Sequence, residues 1–341
     1  MKQVVVTAPM KYEIQNVPIP EPSENEVLVK MMAASVCGSD MHLFLGENPM
    51  AEYPRIPGHE NAGIVEKVGE GVTNVKVGDH VVIDLVISCG ECPQCLSGRY
   101  NVCRSVKSRG ASADGGWREY IVVSKKEVYP ISKEISFADA ALVEPFAIGE
   151  HCTKRAGIQK NDTVLVFGTG NIGAIILQAC KRNGCKVICA DISDSLLERA
   201  AYYKADSIIN SREKDLVSEI QALTDGAGVD VIFDAACYPG SLARLMQAGI
   251  IANGGKIVPL GFCSDYEKIS QAMINGRELS IIGTRMSCGQ FAPTIKLMEE
   301  GQFTIDQIVS HYIPFSQISD VFENIINKPD DMRKMVILFD K

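Results

Sequence analysis

The sequence predicts an α/β protein of two domains, an irregular and mainly β domain and a doubly wound parallel sheet that interrupts it in sequence. Three observations carry this. A chain of 341 residues exceeds the size at which one hydrophobic core stops growing. Its first 150 residues are rich in turns and carry short β-branched runs. From about Thr163 the rhythm changes to short apolar strands alternating with helical patterns.

In the first region the strand-like runs are VVVTA near the start, EVLVKMMAAS at 26–35, AGIVEKVG at 62–69 and DHVVIDLV at 79–86. Their Val and Ile content favours the extended chain, where branched side chains pack well on a pleated surface. In the second region the strands read TVLVF, KVICA, DSIIN, VIFDA, KIVPLG and LSIIG, with helical patterns at 172–183, 195–204, 213–224 and 241–252 between the first five. Short apolar runs joined by helices belong to a parallel sheet covered on both faces. After Gly283 come a helical pattern at 293–300 and a closing strand, MVILF at 335–339. That strand has no place in a six-stranded sheet and is expected to return to the first domain. The expected domains are therefore 1–150 with 290–341, and 151–289. There is no internal repeat and no low-complexity tract.

Charge and composition exclude several classes. Lys and Arg number 34 against 42 Asp and Glu, a net charge of -8, and no basic block could track a phosphate backbone, so no nucleic-acid partner is expected. The opening MKQVVVTAPM breaks at Pro9 before a signal core can form, and no stretch approaches the roughly 20 apolar residues of a membrane span. A cytoplasmic protein with no membrane partner is expected. The twelve cysteines do not argue for a disulfide framework, which belongs mainly to short secreted domains. Five have a metal-ligand logic given below; the other seven lie mostly in apolar segments and are expected as small core residues.

Strand TVLVF runs directly into Gly168, Thr169, Gly170, Asn171, Ile172 and Gly173, followed by a helical pattern. This is the context that a G-x-G-x-x-G dinucleotide fingerprint requires. Gly168 permits the tight turn, Gly170 lets backbone approach a pyrophosphate, and Gly173 lets the helix pack close to the strand. Strand KVICA then ends at Asp191, whose carboxylate can accept hydrogen bonds from the adenosine ribose hydroxyls and would repel a 2′-phosphate. NAD is the expected cofactor. The competing reading is a plain glycine turn with a surface aspartate.

Cys89, Cys92, Cys95 and Cys103 form C-x2-C-x2-C-x7-C in a loop containing Gly and Pro. Four thiolates can close a tetrahedron around zinc with no open position, which makes the site structural and a brace for a loop with little apolar content. An iron-sulfur cluster is the alternative, but the spacing matches neither common ferredoxin pattern. A second set is dispersed: Cys37 in SVCGSDMH, His59 and Glu60 in PGHENAG, and Glu144 in LVEPFAIGEH. Thiolate, imidazole and carboxylate are all zinc ligands, and three of them leave a fourth position for chemistry. Taken singly, each also reads as an ordinary core thiol, turn histidine or surface acid.

With these residues in view, the chain resembles the zinc-containing medium-chain dehydrogenases along its whole length. The run Gly58-His59-Glu60, then Gly63 and Gly69 before Gly71-Val72, carries most of the likeness, together with the four-cysteine lobe and the glycine loop in the same order. The resemblance implies a GroES-like catalytic domain, a Rossmann domain, one catalytic and one structural zinc, and a homodimer or homotetramer. It implies that Cys37 and His59 bind the catalytic zinc. In the polyol branch, to which the CGSD-x-H and EP motifs are similar, the counterpart of Glu60 is the third ligand, and that of Glu144 lies near the metal and can exchange with it. EPFAI at 144–148, DGG at 114–116 and IFDAAC at 232–237 look closest to bacterial sugar-acid dehydrogenases, the group of L-gulonate and L-galactonate 5-dehydrogenases and the starvation-sensing proteins. Two departures stand out: Ser112 where that group often has histidine, and Leu196 where a basic residue often follows the ribose acid.

The expected function is oxidation of a secondary alcohol of a sugar acid or polyol by NAD. Ser39, two residues from Cys37, has the hydroxyl to begin a proton relay that His42 could continue to solvent. A substrate carboxylate needs a cation, and Arg109, Arg118 and Arg285 are candidates. A regulatory protein that keeps the fold and binds NAD(H) without turnover is the reading from another class; a lost ligand would favour it, and none is lost here. A zinc-free quinone reductase relative is disfavoured by the same cysteines. KIVPLGF and LSIIGTR, at the far edge of the sheet, are the candidate oligomer contact.

Overall fold

The computed structural model describes every residue except 49–50, 262, 264, 328–331 and 341. The chain divides into two compact units, Met1–Ala147 with Ser287–Lys341, and Ile148–Met286.

The first unit opens with an antiparallel hairpin of β1 (Lys2–Ala8) and β2 (Lys11–Asn16). Its main sheet is organised around β3 (Glu26–Ser35), which ends beside helix α1 (Gly38–Leu45). The strands that follow are β4 (Glu60–Val68), β5 (His80–Ile83), β6 (Tyr120–Ser124) and β7 (Val128–Pro130), and then helix α2 (Val143–Ala156). β3 pairs antiparallel with β4 on one side and with β6 along its first half. The core of this unit includes Val4, Val29, Met31, Ile83 and Trp117, all shielded from solvent.

The second unit carries a six-stranded parallel sheet. In chain order its elements are β8 (Thr163–Phe167), α3 (Asn171–Arg182), β9 (Lys186–Asp191), α4 (Asp194–Tyr202), β10 (Ser207–Asn210), α5 (Leu216–Leu223), β11 (Val229–Asp234), α6 (Ser241–Leu245), β12 (Ile251–Pro259) and β13 (Ser280–Ile281). The strand order is β10-β9-β8-β11-β12-β13, so the order reverses between β8 and β11. In such sheets ligands bind outside the strand ends at that reversal. The sheet buries Leu165, Ile188, Ile232 and Ile257 in its core.

The fold class is the one the sequence predicts, with two local differences. The helix expected over 241–252 stops at Leu245, because Gly249 takes φ +88, and the chain is already a strand from Ile251. The strand expected at LSIIG shrinks to two residues at the sheet edge, where only β12 pairs with it.

After Met286 the chain forms α7 (Phe291–Glu299), β14 (His311–Pro314), α8 (Ile318–Asn327) and β15 (Met335–Leu338). β15 pairs antiparallel with β3 and parallel with β14. Helix α8 buries Ile318, Val321, Phe322 and Ile325, the spacing of one helical face, and Phe322 meets Tyr12 face to face at 3.9 Å and the edge of Trp117 at 5.8 Å.

Among the described residues no helix is long and apolar enough to cross a membrane. All twelve cysteines are free thiols. Of the seven expected in the core, Cys152, Cys180, Cys185 and Cys189 are buried; Cys237 and Cys288 are half-buried and Cys263 is exposed, because these three sit in loops beyond strand ends.

Candidate metal centres and dinucleotide loop

The ligand atoms of Cys89, Cys92, Cys95 and Cys103 all lie within 4.8 Å of one another. Sγ–Sγ separations are 3.5 Å for Cys92–Cys95, 3.5 Å for Cys89–Cys103 and 3.9 Å for Cys89–Cys95. Four sulfurs at the corners of a zinc tetrahedron lie about 3.8 Å apart, so the donor set fits that ion and leaves no corner open. The loop's own turns bring the thiols together: Pro93 opens a one-turn helix at Pro93–Leu96 that carries Cys95 back toward Cys92.

Strand register assembles the dispersed set. Ser35, the last residue of β3, faces Glu60 across one ladder and Val336 across the other. Two residues past Ser35, Cys37 caps the start of α1. The ligand atoms of Cys37, His59 and Glu60 fall within 4.8 Å of one another. Glu144, in the first turn of α2, is not in that set of three, but it is buried and feels the charges of His59 and Glu60.

Two residues at this site were missed in the sequence. Asp40 accepts hydrogen bonds from the Cys37 N–H at 2.9 Å and the Gly58 N–H at 3.0 Å, and its Oδ1 lies 3.6 Å from His59 Nδ1. It therefore ties both strand ends together and orients the imidazole. Its place three residues into the helix, after Cys37, was the available signal. Lys334 is buried, with Nζ 2.6 Å from the Glu60 carboxylate and 3.3 Å from Val36 O, and the Ser35 hydroxyl also donates to Glu60. Nothing in its local sequence marks it out.

The electrostatics suit a cation. Cys37, Asp40, Glu60 and Glu144 all carry negative charge when ionised, and Lys334 opposes them. Burial and then Glu60 push Glu144 up to about 8, against the pull of His59 and Lys334. Burial works against a charged His59, yet Asp40 and Cys37 outweigh it and raise its pKa well above the usual value. The His59 shift expresses the negative charge of Asp40 and Cys37 around it, and the Glu144 shift expresses chiefly its burial; a divalent ion here would be drawn to the first and would favour the ionised carboxylate against the second. Sulfur, nitrogen and carboxylate oxygen form a zinc donor set.

Ser39 and His42 lie on exposed positions of α1, and among the described residues no hydrogen bond joins them. His42 Nδ1 instead pairs with Glu47 at 2.7 Å.

In the second unit the chain turns at Gly168 with φ +90, where a Cβ would sit 2.6 Å from Ala236 N. A Cβ on Gly173 would meet Gly168 O at 2.0 Å, so the first turn of α3 packs directly on the loop. Gly170 faces open space, and with Asn171 and Ile172 it forms the N-terminus of α3, where backbone amides can cradle an anionic group. Asp191 ends β9; its Oδ2 accepts from Thr169 N at 2.6 Å and Thr169 Oγ1 at 3.1 Å, and its Oδ1 from Ile192 N at 2.7 Å and Ser193 N at 3.1 Å. Beside the loop, at the reversal of strand order, lies a cavity of about 240 Å³ lined by Ile172, Ala235, Cys237, Leu260 and Arg285 among others.

Residues 23–133 match the family model of the alcohol dehydrogenase GroES-like domain, and residues 171–300 match that of the zinc-binding dehydrogenase. The chain belongs to the zinc-type medium-chain alcohol dehydrogenases. The dehydrogenase is 38% identical to the starvation-sensing protein RspB of Escherichia coli K12, with 94% of each chain covered. It is 31% identical to the L-galactonate-5-dehydrogenase of the same organism, again over 94% of each. A crystal structure of rspB from Escherichia coli CFT073, complexed with NADH, superposes with a TM-score of 0.93 at 35% identity and covers 99% of both chains.

Of the three arginines considered for a substrate carboxylate, the dehydrogenase commits Arg109 to a buried pair with Glu127, Nε to Oε2 2.6 Å. Burial and the nearby Arg109 lower the Arg118 pKa to about 10, with Asp114 opposing. Arg285 lines the cavity described above. Ser112 receives the Ser108 N–H at 2.9 Å and closes a turn.

Proposed function

We propose that this dehydrogenase transfers hydride from a secondary alcohol of a sugar acid, L-gulonate- or L-galactonate-like, to NAD, giving a keto acid. The observation that carries the alcohol-oxidising chemistry is the convergence of Cys37, His59 and Glu60 within 4.8 Å, from separate stretches of the sequence; the likeness to L-galactonate-5-dehydrogenase supports the sugar-acid class. When bound, zinc at that set supplies a Lewis acid that lowers the pKa of a substrate hydroxyl, and NAD supplies the hydride acceptor.

The chain's own residues do the rest. Cys37, His59 and Glu60 hold the ion, Glu144 stands ready to exchange with Glu60, and Asp40 and Lys334 keep the imidazole and carboxylate in place. In the relay, the Ser39 hydroxyl would accept the substrate proton as it gives up its own, and His42 would carry a proton on to solvent. Cys89, Cys92, Cys95 and Cys103 hold a second, structural zinc. Gly168, Gly170, Asn171, Ile172 and Gly173 receive the pyrophosphate, and Asp191 receives the adenosine ribose and repels a 2′-phosphate. The protein works in the cytoplasm as a homodimer or homotetramer. The proposed contact runs 256–262 and 279–285 differ in one respect: Phe262 lies outside the described residues.

A substrate screen with NAD and NADP against aldonic acids and polyols, with metal analysis of the purified protein, tests this. The expected result is two zinc ions per chain, use of NAD over NADP, and a kcat/KM for the preferred sugar acid on the order of a hundredfold above that of its uncharged polyol. Equal values for acid and polyol would remove the sugar-acid substrate; full turnover after metal removal would remove the catalytic zinc.

A further inference from the structure

The glycine loop rests on a buried cation. Arg199 of α4 is 3% exposed; its Nη2 donates to Thr169 O at 2.7 Å and its Nη1 to Asn171 Oδ1 at 3.0 Å. Thr169 is the residue whose N–H and hydroxyl hold Asp191, and Asn171 is the first residue of α3. One planar guanidinium therefore spans both sides of Gly170, the N-cap of that helix. Removing a guanidinium from water is costly unless its donors are satisfied, and a brace made only for packing could be neutral.

We infer that Arg199 is a positioning residue for the cofactor's pyrophosphate: it fixes the Thr169 carbonyl and the Asn171 side chain so that the amides around Gly170 face the phosphates, and it adds positive charge beneath them. The inference rests on the dinucleotide reading above. It differs from a ribose or nicotinamide role because the two acceptors of Arg199 flank the pyrophosphate cradle itself.

The test is equilibrium binding to the full-length, zinc-loaded protein, measured by NADH fluorescence and by competition with ADP and with adenosine. Arg199→Met should weaken NADH and ADP by the same factor, about tenfold or more, the usual worth of a hydrogen bond from a charged group. Adenosine, which meets Arg199 only through Thr169 and Asp191, should weaken by clearly less than ADP, and kcat at saturating NAD should stay within about twofold. Arg199→Lys, which can reach one acceptor but cannot span two, should recover part of the loss. Arg199→Gln keeps the whole cradle intact, removes the charge and can reach one acceptor at most, so it decides the matter if Arg199→Met does not fold; about threefold or more weaker ADP binding is expected. Wild-type affinity for ADP in both Arg199→Met and Arg199→Gln, or equal weakening of ADP and adenosine, would overturn the inference. A wild-type protein that binds no NADH would instead bring down the dinucleotide reading and this inference with it.

Discussion

The four-cysteine lobe and the Cys37–His59–Glu60 cluster gather candidate metal ligands by opposite routes. In the lobe every ligand lies between Cys89 and Cys103, and local turns set the distances. In the cluster the ligands come from the end of one strand and the start of another, and their spacing is set by the register of β3 with its neighbours. A closed set made by local turns can only hold a segment together. An open set made by a whole folded unit can afford a vacant corner, because other contacts already fix its ligands.

The largest expected effect sharpens that contrast. His59→Ala or Cys37→Ser should lower turnover by on the order of 10³ or more, with NADH affinity and Tm close to wild type, since several kcal/mol of Lewis-acid assistance is lost and little packing. Steady-state kinetics beside a thermal melt checks both halves; a large drop in Tm would mean that the cluster also holds the fold. Cys95→Ser should do the reverse, lowering Tm by roughly 5–15 °C while each folded molecule keeps its turnover.

The smallest effect concerns the residue that reaches toward both clusters. Asp84 is buried, accepts from Val86 N at 3.0 Å and from the Tyr100 hydroxyl in the lobe at 3.1 Å, and its charge adds to that felt by Glu144. Burial pushes its carboxyl up to about 7, against the pull of those two donors, from an ordinary value of 3.8. The folded state thus keeps a proton that the unfolded state releases near pH 4. The Asp84 contribution to stability therefore falls as pH rises from about 4 to 7 and then levels off. Asp84→Asn should remove that slope. Melting both proteins at pH 5, 6, 7 and 8 checks it, and parallel Tm profiles would contradict the assignment.

The strands and the glycine loop were legible because their cause is local. EVLVKMMAAS at 26–35 is β3 to the residue, and TVLVF is β8. The errors fall where tertiary contacts decide. The helical periodicity of 241–252 gave way to a turn at Gly249, where a Cβ would sit 2.6 Å from the Gln221 side chain of α5. Among residues around the dispersed cluster, Asp40 left a trace in its capping position and Lys334 left none, because a lysine before an apolar run reads as a surface charge. Its burial depends on β15 pairing with β3, a contact between distant stretches that no local pattern records.

That pairing sets a timetable for synthesis. Glu60 and Lys334 are separated by 274 positions, so at about 5–20 residues per second a ribosome needs roughly 15–55 s to deliver the second after the first. Throughout that interval the nascent carboxylate waits without its ammonium partner while the whole of Ile148–Met286 emerges. A polypeptide released early could present a finished parallel sheet and still lack the counter-charge that Glu60 meets in the complete chain.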